Sequence, residues 1–133
     1  MAWVTMIGVV VVAGQILWMM FGPQNIMWQE EPIRVENRVV KRGDSVVLHF
    51  NYCKYKPYTA DVSIYLVDNT IFSLRTVKSN LGAQCRDDLK YPIVIPETIE
   101  PGIYHIRETL DFHINPLREV SYNYDSEVFE VTK

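Results

Sequence analysis

The stretch Val46–Tyr52 has the sequence VVLHFNY, and it decides the fold class of this chain. Apolar or aromatic residues occupy every second position from Val46 to Tyr52, whereas His49 and Asn51 lie between them. Because successive side chains of a β-strand point to opposite faces, this alternation places one set in a core and the other toward solvent. The stretch is therefore predicted to be a half-buried β-strand.

The same period of two recurs after residue 32, and no sustained helical period interrupts it. Turn-forming residues separate the alternating segments. About seven short strands with this spacing are typical of an antiparallel β-sandwich, so the sequence predicts an all-β domain. Further alternating segments lie at Val62–Leu66, Phe72–Leu74, Tyr91–Ile95, Tyr104–Ile106 and Phe129–Val131, with turn signals at Arg42-Gly43-Asp44, Ser79-Asn80-Leu81-Gly82 and Pro101-Gly102.

Three segments resemble immunoglobulin-like domains. Glu100–Tyr104, with the sequence EPGIY, resembles the corner between strands E and F, where a tyrosine hydroxyl bonds back to the backbone. Lys41–Val46 is similar to their A–B turn, and Ser126–Val131 is similar to their closing strand G. The resemblance covers residues 33 to 132 and implies the fold alone, because this architecture hosts many unrelated functions. It is one of architecture only, since antibody-type domains place a cysteine where Ile106 stands, and Tyr104 could equally be a plain core aromatic.

The chain begins with an uncharged apolar run, Ala2–Phe21. A helix of that length spans roughly 30 Å, which matches the hydrocarbon core of a bilayer. Trp3 lies near one end of the run and Trp18 near the other, as aromatic residues do at membrane interfaces. The sequence therefore predicts a transmembrane helix or signal anchor over residues 1–22, closed by Pro23, a linker over 23–32 and an immunoglobulin-like β-sandwich over 33–133.

Two other interpretations of the apolar run, a cleaved signal peptide and a buried core helix, fit the residues less well. A cleaved signal peptide normally carries a basic residue before the apolar stretch, and none is present here. A buried core helix would have a polar stripe, but Val9–Val12 is apolar on every face. The run also lacks a pair of small residues four positions apart, since Val12 follows Gly8 at that spacing, so the oligomeric state is left open.

The two cysteines bear on the side of the membrane. With the strands lettered as in an immunoglobulin-like sandwich, Cys53 lies at the end of strand B and Cys85 lies in the C′–E connection, at the same end. A Cys53–Cys85 disulfide is predicted, with two free thiols as the alternative. Such a bond needs an oxidising compartment, which favours a periplasmic or extracellular domain. The basic residues Arg34 and Arg38 favour the cytoplasmic side, but a domain of this size translocates largely regardless of charge.

No pattern in the sequence predicts catalysis or a cofactor. His49, His105 and His113 lack the spacing of metal ligands, and Asp87-Asp88 has no further ligand nearby in the sequence. There is no nucleophile elbow and no glycine-rich phosphate loop. The net charge of −3 argues against a nucleic-acid partner. The sequence therefore predicts a non-catalytic protein without cofactor, metal or nucleic acid.

The connections at the cysteine end are rich in tyrosine and basic residues, which are common in binding surfaces. The alternative is that the tyrosines pack at the margin of the sandwich. Strand A is antiparallel to B and starts at this same end, so these connections should face the membrane, with Lys133 at the far end. The predicted partner-binding residues are Tyr55, Tyr58, Arg118, Tyr122 and Tyr124.

The sequence thus predicts a single-pass, membrane-anchored β-sandwich for protein or membrane-surface interaction. The protein partner would lie near the membrane surface. The alternative is a structural subunit of a phage, virion or other assembly, in which the apolar N-terminus is buried against other subunits rather than in lipid.

Overall fold

The computed structural model describes residues 2–22 and 25–133 of the chain. The helix α1 spans Ala2–Phe21, and none of its residues is buried. Its mean hydropathy of 2.1 and its length of 20 residues meet the requirements for crossing a membrane, which an N-terminal signal sequence also meets. The predicted apolar helix is therefore confirmed, whereas Pro23, which was expected to close it, lies outside the described residues.

The rest of the described chain is mainly β-strand, as the alternating pattern predicts. Ten strands follow the helix: β1 (Met27–Gln29), β2 (Arg34–Val35), β3 (Val39–Lys41), β4 (Ser45–Lys54), β5 (Ala60–Val67), β6 (Ile71–Ser79), β7 (Gln84–Val94), β8 (Gly102–Asn115), β9 (Arg118–Asp125) and β10 (Phe129–Thr132).

The first sheet is built around β4. One edge of β4 pairs with β7 in antiparallel orientation, from Ser45 opposite Val94 to Lys54 opposite Gln84. Its other edge pairs with β1 and then with β2, both antiparallel. Cys85 was expected in a connection between strands, but it lies within β7, because the pairing of β7 with β4 extends as far as Gln84 opposite Lys54.

The second sheet is built around β8, which has 14 residues. One edge of β8 pairs with β5, and β6 pairs with the outer side of β5. Its other edge pairs first with β10 and then with β9, and β3 adds to β10 in parallel. Ser126 lies between the two partners of this edge, where its backbone N–H donates to the Ile106 carbonyl at 2.8 Å and its hydroxyl accepts from the Ile106 N–H at 2.8 Å.

The inner faces of both sheets contribute to one buried cluster. On β4 every second residue from Val46 to Lys54 is buried, and on β8 every second residue from Tyr104 to Phe112 is buried. Each large apolar side chain removed from water contributes roughly 1.5 to 3 kcal/mol. The alternation seen in the sequence is therefore the alternation between core and solvent.

Two segments differ from the sequence-based assignment. The strand β1 lies inside the expected linker 23–32, and Ile26 and Met27 are buried there because the segment pairs with the end of β4. The strand β9 was expected to belong to the connection before the closing strand. It forms because Val120, Tyr122 and Tyr124 pack toward the core while the residues between them stay exposed or half-exposed.

The predicted corner tyrosine makes its expected contact. The Tyr104 hydroxyl donates a hydrogen bond of 2.6 Å to the backbone carbonyl of Glu100, and the ring is buried. This bond fastens the connection 96–101 to the beginning of β8. Tyrosine suits this position, where the chain crosses between the sheets, because its ring can be buried while its hydroxyl makes a hydrogen bond.

Replacing Tyr104 by Phe should lower the free energy of unfolding by about 1 kcal/mol, because the Glu100 carbonyl loses its donor. For a domain of this size the melting temperature should fall by roughly 4 to 8 °C, measured by circular dichroism in detergent.

The matched control is Tyr65→Phe. Tyr65 is half-buried on β5, and its hydroxyl has no hydrogen-bond partner in the described part of the chain. This variant should have the same melting temperature as the parent protein. An equal fall in melting temperature in both variants would show that the corner hydrogen bond contributes nothing to stability.

Candidate functional site at the helix-proximal end

The end of α1 touches the hairpin between β8 and β9. The last carbonyl groups of a helix have no partner within the helix. Asn115 donates from Nδ2 to the Met19 carbonyl at 3.2 Å, and the Arg118 guanidinium donates to the Gly22 carbonyl. A cationic side chain near a helix C-terminus also complements the helix dipole. The hairpin therefore serves as the cap of the helix.

Asn115 has a second role in the same hairpin. Its Oδ1 accepts a hydrogen bond of 2.9 Å from the backbone N–H of Leu117, which fixes the two-residue turn. The same side chain thus shapes the turn with its oxygen and binds the helix end with its nitrogen.

Three connections lie together at this end of the two sheets. They are residues 55–59 between β4 and β5, residues 80–83 between β6 and β7, and residues 116–117 between β8 and β9. The registers Lys54 opposite Gln84 and Ala60 opposite Ser79 place the first two side by side. We call these connections, together with Trp28 on β1, the helix-proximal end.

Several large side chains at the helix-proximal end are exposed. Trp28 is 52% exposed, Tyr55 is 47% exposed and Leu117 is 53% exposed. Lys56 is exposed beside Tyr55 in the first connection. Aromatic, aliphatic and cationic side chains in this combination suit the boundary between lipid and water.

The disulfide stabilises the same end. Cys53 and Cys85 lie directly opposite each other on β4 and β7, with Cα atoms 4.0 Å apart, and their sulfur atoms are bonded. The neighbouring residue on the other side of Cys53 is Trp28, in register on β1. The connection 80–83 is also held by Lys54, whose Nζ donates to the Leu81 carbonyl at 2.5 Å.

The five predicted partner-binding residues do not form one surface. Tyr55 is exposed, Tyr58 is half-buried against the core, and Arg118 is engaged with the helix end. Tyr122 and Tyr124 stack with ring centroids 6.2 Å apart, and Tyr124 is only 8% exposed. Burial raises the pKa of Tyr124 to about 12.

Tyr122 and Tyr124 are therefore packing residues in this structure, as the alternative interpretation had it. The physical reason is the period of two along β9, which turns both rings to the inner face with Val120. That period was present in the sequence, since Glu119, Ser121 and Asn123 occupy the alternate positions. Asn115 and Leu117 also lie at this end and were not among the predicted binding residues. The dipeptide Asn115-Pro116, which favours a turn, marks this position in the sequence.

A cluster of ionisable groups joins three strands next to the hairpin. His113 on β8 lies 2.9 Å from Asp61 on β5 through Nε2 and 2.8 Å from Glu119 on β9 through Nδ1. The hydrogen bond to Asp61 raises the pKa of His113 above its ordinary value of 6.5, and the Glu119 charge adds to this, although desolvation opposes it. The protonated form of His113 is therefore favoured by two carboxylates, of which its single charge can balance one.

Asp88 takes part in ion pairs rather than standing free. Asp88 contacts His49 Nδ1 at 2.7 Å and Arg34 at 3.8 Å, and the hydrogen bond from His49 is the main reason that its pKa is lowered. Among residues 2–22 and 25–133, no group of three His, Cys, Asp or Glu side chains could hold a metal ion.

No known protein family matches the sequence, and no curated protein does. Among solved structures, the chain is similar to an alkylpurine DNA glycosylase, AlkC of Pseudomonas fluorescens, bound to DNA that contains an abasic site analog. The TM-score is 0.42 and the identity is 16%, over 89% of this chain and 33% of the glycosylase. The chain thus spans about a third of the length of that protein.

The disulfide predicts a large loss of stability in the Cys53→Ser/Cys85→Ser double variant. The two residues are 32 positions apart, and opening a loop of that size should cost roughly 3 to 4 kcal/mol. Urea denaturation in detergent measures the loss. Treating the parent protein with dithiothreitol should lower its stability to that of the variant and leave the variant unchanged. Two alkylatable thiols in freshly isolated protein would contradict the bond.

The His113 cluster predicts a pH dependence. Because the folded-state pKa of His113 is raised, its contribution to stability is fully present below pH 6.5 and is lost as the pH rises through the folded-state pKa. Asp61→Asn should lower the His113 pKa measured by NMR of the imidazole protons. Glu119→Gln should lower it less, because the Asp61 bond stays, and an unchanged pKa in Asp61→Asn would refute the assignment.

Proposed function

We propose that this chain is a single-pass membrane protein whose immunoglobulin-like β-sandwich is held with its helix-proximal end against the bilayer. There it binds a protein partner or the membrane surface, without catalysis. The contact of Asn115 and Arg118 with the end of α1 is the observation that carries the proposal. The C-terminal end of a helix that crosses a bilayer lies at the lipid surface. Because the β8–β9 hairpin contacts this end of α1, the hairpin would lie at the same surface.

The sheet arrangement supports the immunoglobulin-like assignment. The Tyr104–Glu100 hydrogen bond occurs where such domains have their corner tyrosine, and β4 and β7 are neighbours as strands B and E are. The hairpin order β8–β9 and the parallel pairing of β3 with β10 also fit that topology. Domains of this architecture commonly serve binding, which is an inference by analogy.

The exposed side chains support binding at the helix-proximal end. Trp28 and Tyr55 are amphipathic aromatics that favour the headgroup level of a bilayer, and Lys56 is attracted to anionic lipids. Tyrosine and tryptophan are also enriched where proteins bind proteins. The Cys53–Cys85 bond favours the periplasmic or extracellular side, because it needs an oxidising compartment.

The proposal predicts that Trp28 lies at lipid depth. With Trp3→Phe and Trp18→Phe, Trp28 becomes the sole tryptophan of the chain. Its fluorescence in phosphatidylcholine vesicles should be quenched by lipids that carry bromine near the headgroup. The reference adds Trp28→Phe and Thr98→Trp, which moves the fluorophore to an exposed site in the connection 96–101 at the opposite end.

The reference variant should show no quenching, and equal emission from both variants in brominated and plain lipid would contradict the proposed orientation. A parallel extraction of the full chain from its native source separates the rival function. A subunit of a phage or virion should be released by salt or denaturant alone, whereas an anchored protein should require detergent.

A further inference from the structure

A cavity of about 220 Å³ lies between the two sheets. Its walls are mainly apolar: Phe50 comes from β4, Ile64 from β5, and Leu110 and Phe112 from β8. An engineered apolar cavity of about 150 Å³ is enough to hold one benzene molecule. The space between the sheets therefore suits a small organic molecule or one short hydrocarbon chain.

The cavity opens where no backbone pairing joins the two sheets. Among the described strands, β6 pairs only with β5 and β7 pairs only with β4, and the Arg75 guanidinium on β6 donates to the Tyr91 hydroxyl on β7 at 2.8 Å across the gap between them. The cavity is lined there by Val77 on β6 and by Leu89 and Tyr91 on β7, all partly exposed. Leu81, in the connection 80–83, also lines it and is half exposed. A ligand can enter through this side.

Gln29 is a buried donor without a partner. Its side chain lines the cavity, the residue is 5% exposed, and Nε2 has no hydrogen bond to any described residue. More than nine in ten buried polar groups in proteins are hydrogen-bonded, because an unpaired donor away from water costs free energy. The position therefore calls for an acceptor that the described chain does not supply.

Lys54 brings a positive charge to the same cavity. The residue is 6% exposed, its Nζ lies 5.5 Å from the ring centroid of Phe112, and it makes one hydrogen bond, to the Leu81 carbonyl. An ammonium group has three donors, and no carboxylate of the described chain forms an ion pair with it. Burial lowers the pKa of Lys54. A buried cation of this kind favours an anion as its partner.

Both donors lie toward the same part of the cavity. Met27 is opposite Lys54 in the β1–β4 register and Gln29 is opposite Tyr52, so the backbone positions of Lys54 and Gln29 are offset by two residues, about 7 Å along the strands. Glu108 is the third buried polar residue of the lining. It lies four positions before Phe112 on β8, so its backbone is about 13 Å along the strand from the ring that Lys54 contacts. Burial raises the pKa of Glu108 to about 7, so below that pH its carboxyl is mainly neutral.

We infer that this cavity binds a medium-chain carboxylic acid, with the carboxylate held by Lys54 and Gln29 and the hydrocarbon chain lying along Ile64 and Leu110. The carboxylate supplies the anion for the ammonium group and the acceptor for Gln29 Nε2. The apolar chain fills the space between the sheets. Glu108 is opposite Ile64 in the β5–β8 register, so it lies beside the hydrocarbon chain and about 13 Å along β8 from Phe112, the residue that Lys54 contacts.

The test uses the full chain in phosphatidylcholine nanodiscs and a decanoic acid that carries a photoreactive diazirine in its chain. After irradiation, mass spectrometry of the digested protein should locate adducts on β5 and β8, the apolar walls. Adducts on residues 2–21 from probe dissolved in the bilayer give an internal reference. The methyl ester of the probe is the matched control, and it should label β5 and β8 roughly tenfold less, because it lacks the charge.

Two variants test the head-group contacts. Lys54→Met keeps an unbranched side chain that is one atom shorter and carries no charge, and it should reduce labelling of β5 and β8 by roughly tenfold relative to the helix. Gln29→Leu should also reduce it, while leaving the melting temperature equal or higher, because an unpaired buried donor is removed. This second variant keeps the test valid if Lys54→Met fails to fold.

Labelling confined to the helix, equal labelling of the walls by acid and ester, or unchanged labelling in a folded Gln29→Leu variant would each overturn the inference. These outcomes are independent of the anchor proposal. A cavity that is labelled while α1 is not would instead count against the membrane-spanning role of the helix.

Discussion

The structure depends on the alternation of side chains along β4 and β8. These two strands lie at the centres of the two sheets, and their inward residues meet in one core. A shift of either strand by one residue would turn every buried side chain to solvent, so the register of each sheet is fixed by this contact. The corner bond of Tyr104 and the bonds of Ser126 then place the crossing segments on a frame that is already determined.

The two ends of this frame are stabilised differently. At the end far from the helix, backbone hydrogen bonds hold the turn at Gly43, whose φ of 86° is favourable for glycine and unfavourable for other residues. At the helix-proximal end, the connections are held by a disulfide, by the buried Lys54 and by the charged cluster around His113. Between the two ends, the Arg75–Tyr91 hydrogen bond links β6 to β7, no backbone pairing joins these two described strands, and the cavity lies there.

Much of the fold follows from the sequence because a period of two is a local property. The strands β4 and β8 could be predicted in this way, and the resemblance of Glu100–Tyr104 to a corner motif indicated the Tyr104 contact. Cys85 was expected in a connection but lies within β7, because the pairing with β4 extends the strand. The strand β1 could not, because three residues are too few to show a period and their burial depends on pairing with the end of β4. Tyr122 and Tyr124 were selected for their residue type, although their spacing indicated packing. The cavity residues Gln29, Lys54 and Glu108 come from three strands, so only the assembled sheets bring them together.

The capping of α1 by the hairpin also limits the freedom of the domain. In a chain held in a bilayer by this helix, the domain is joined to the helix end through the backbone and through Asn115 and Arg118. Binding of the exposed end to the nearby surface is then an intramolecular event, and short connections correspond to effective concentrations of about millimolar. Under the proposed anchoring, weak contacts by Trp28, Tyr55 and Leu117 would be sufficient for binding at such concentrations. Such a surface would exchange partners quickly while the chain stays in the membrane.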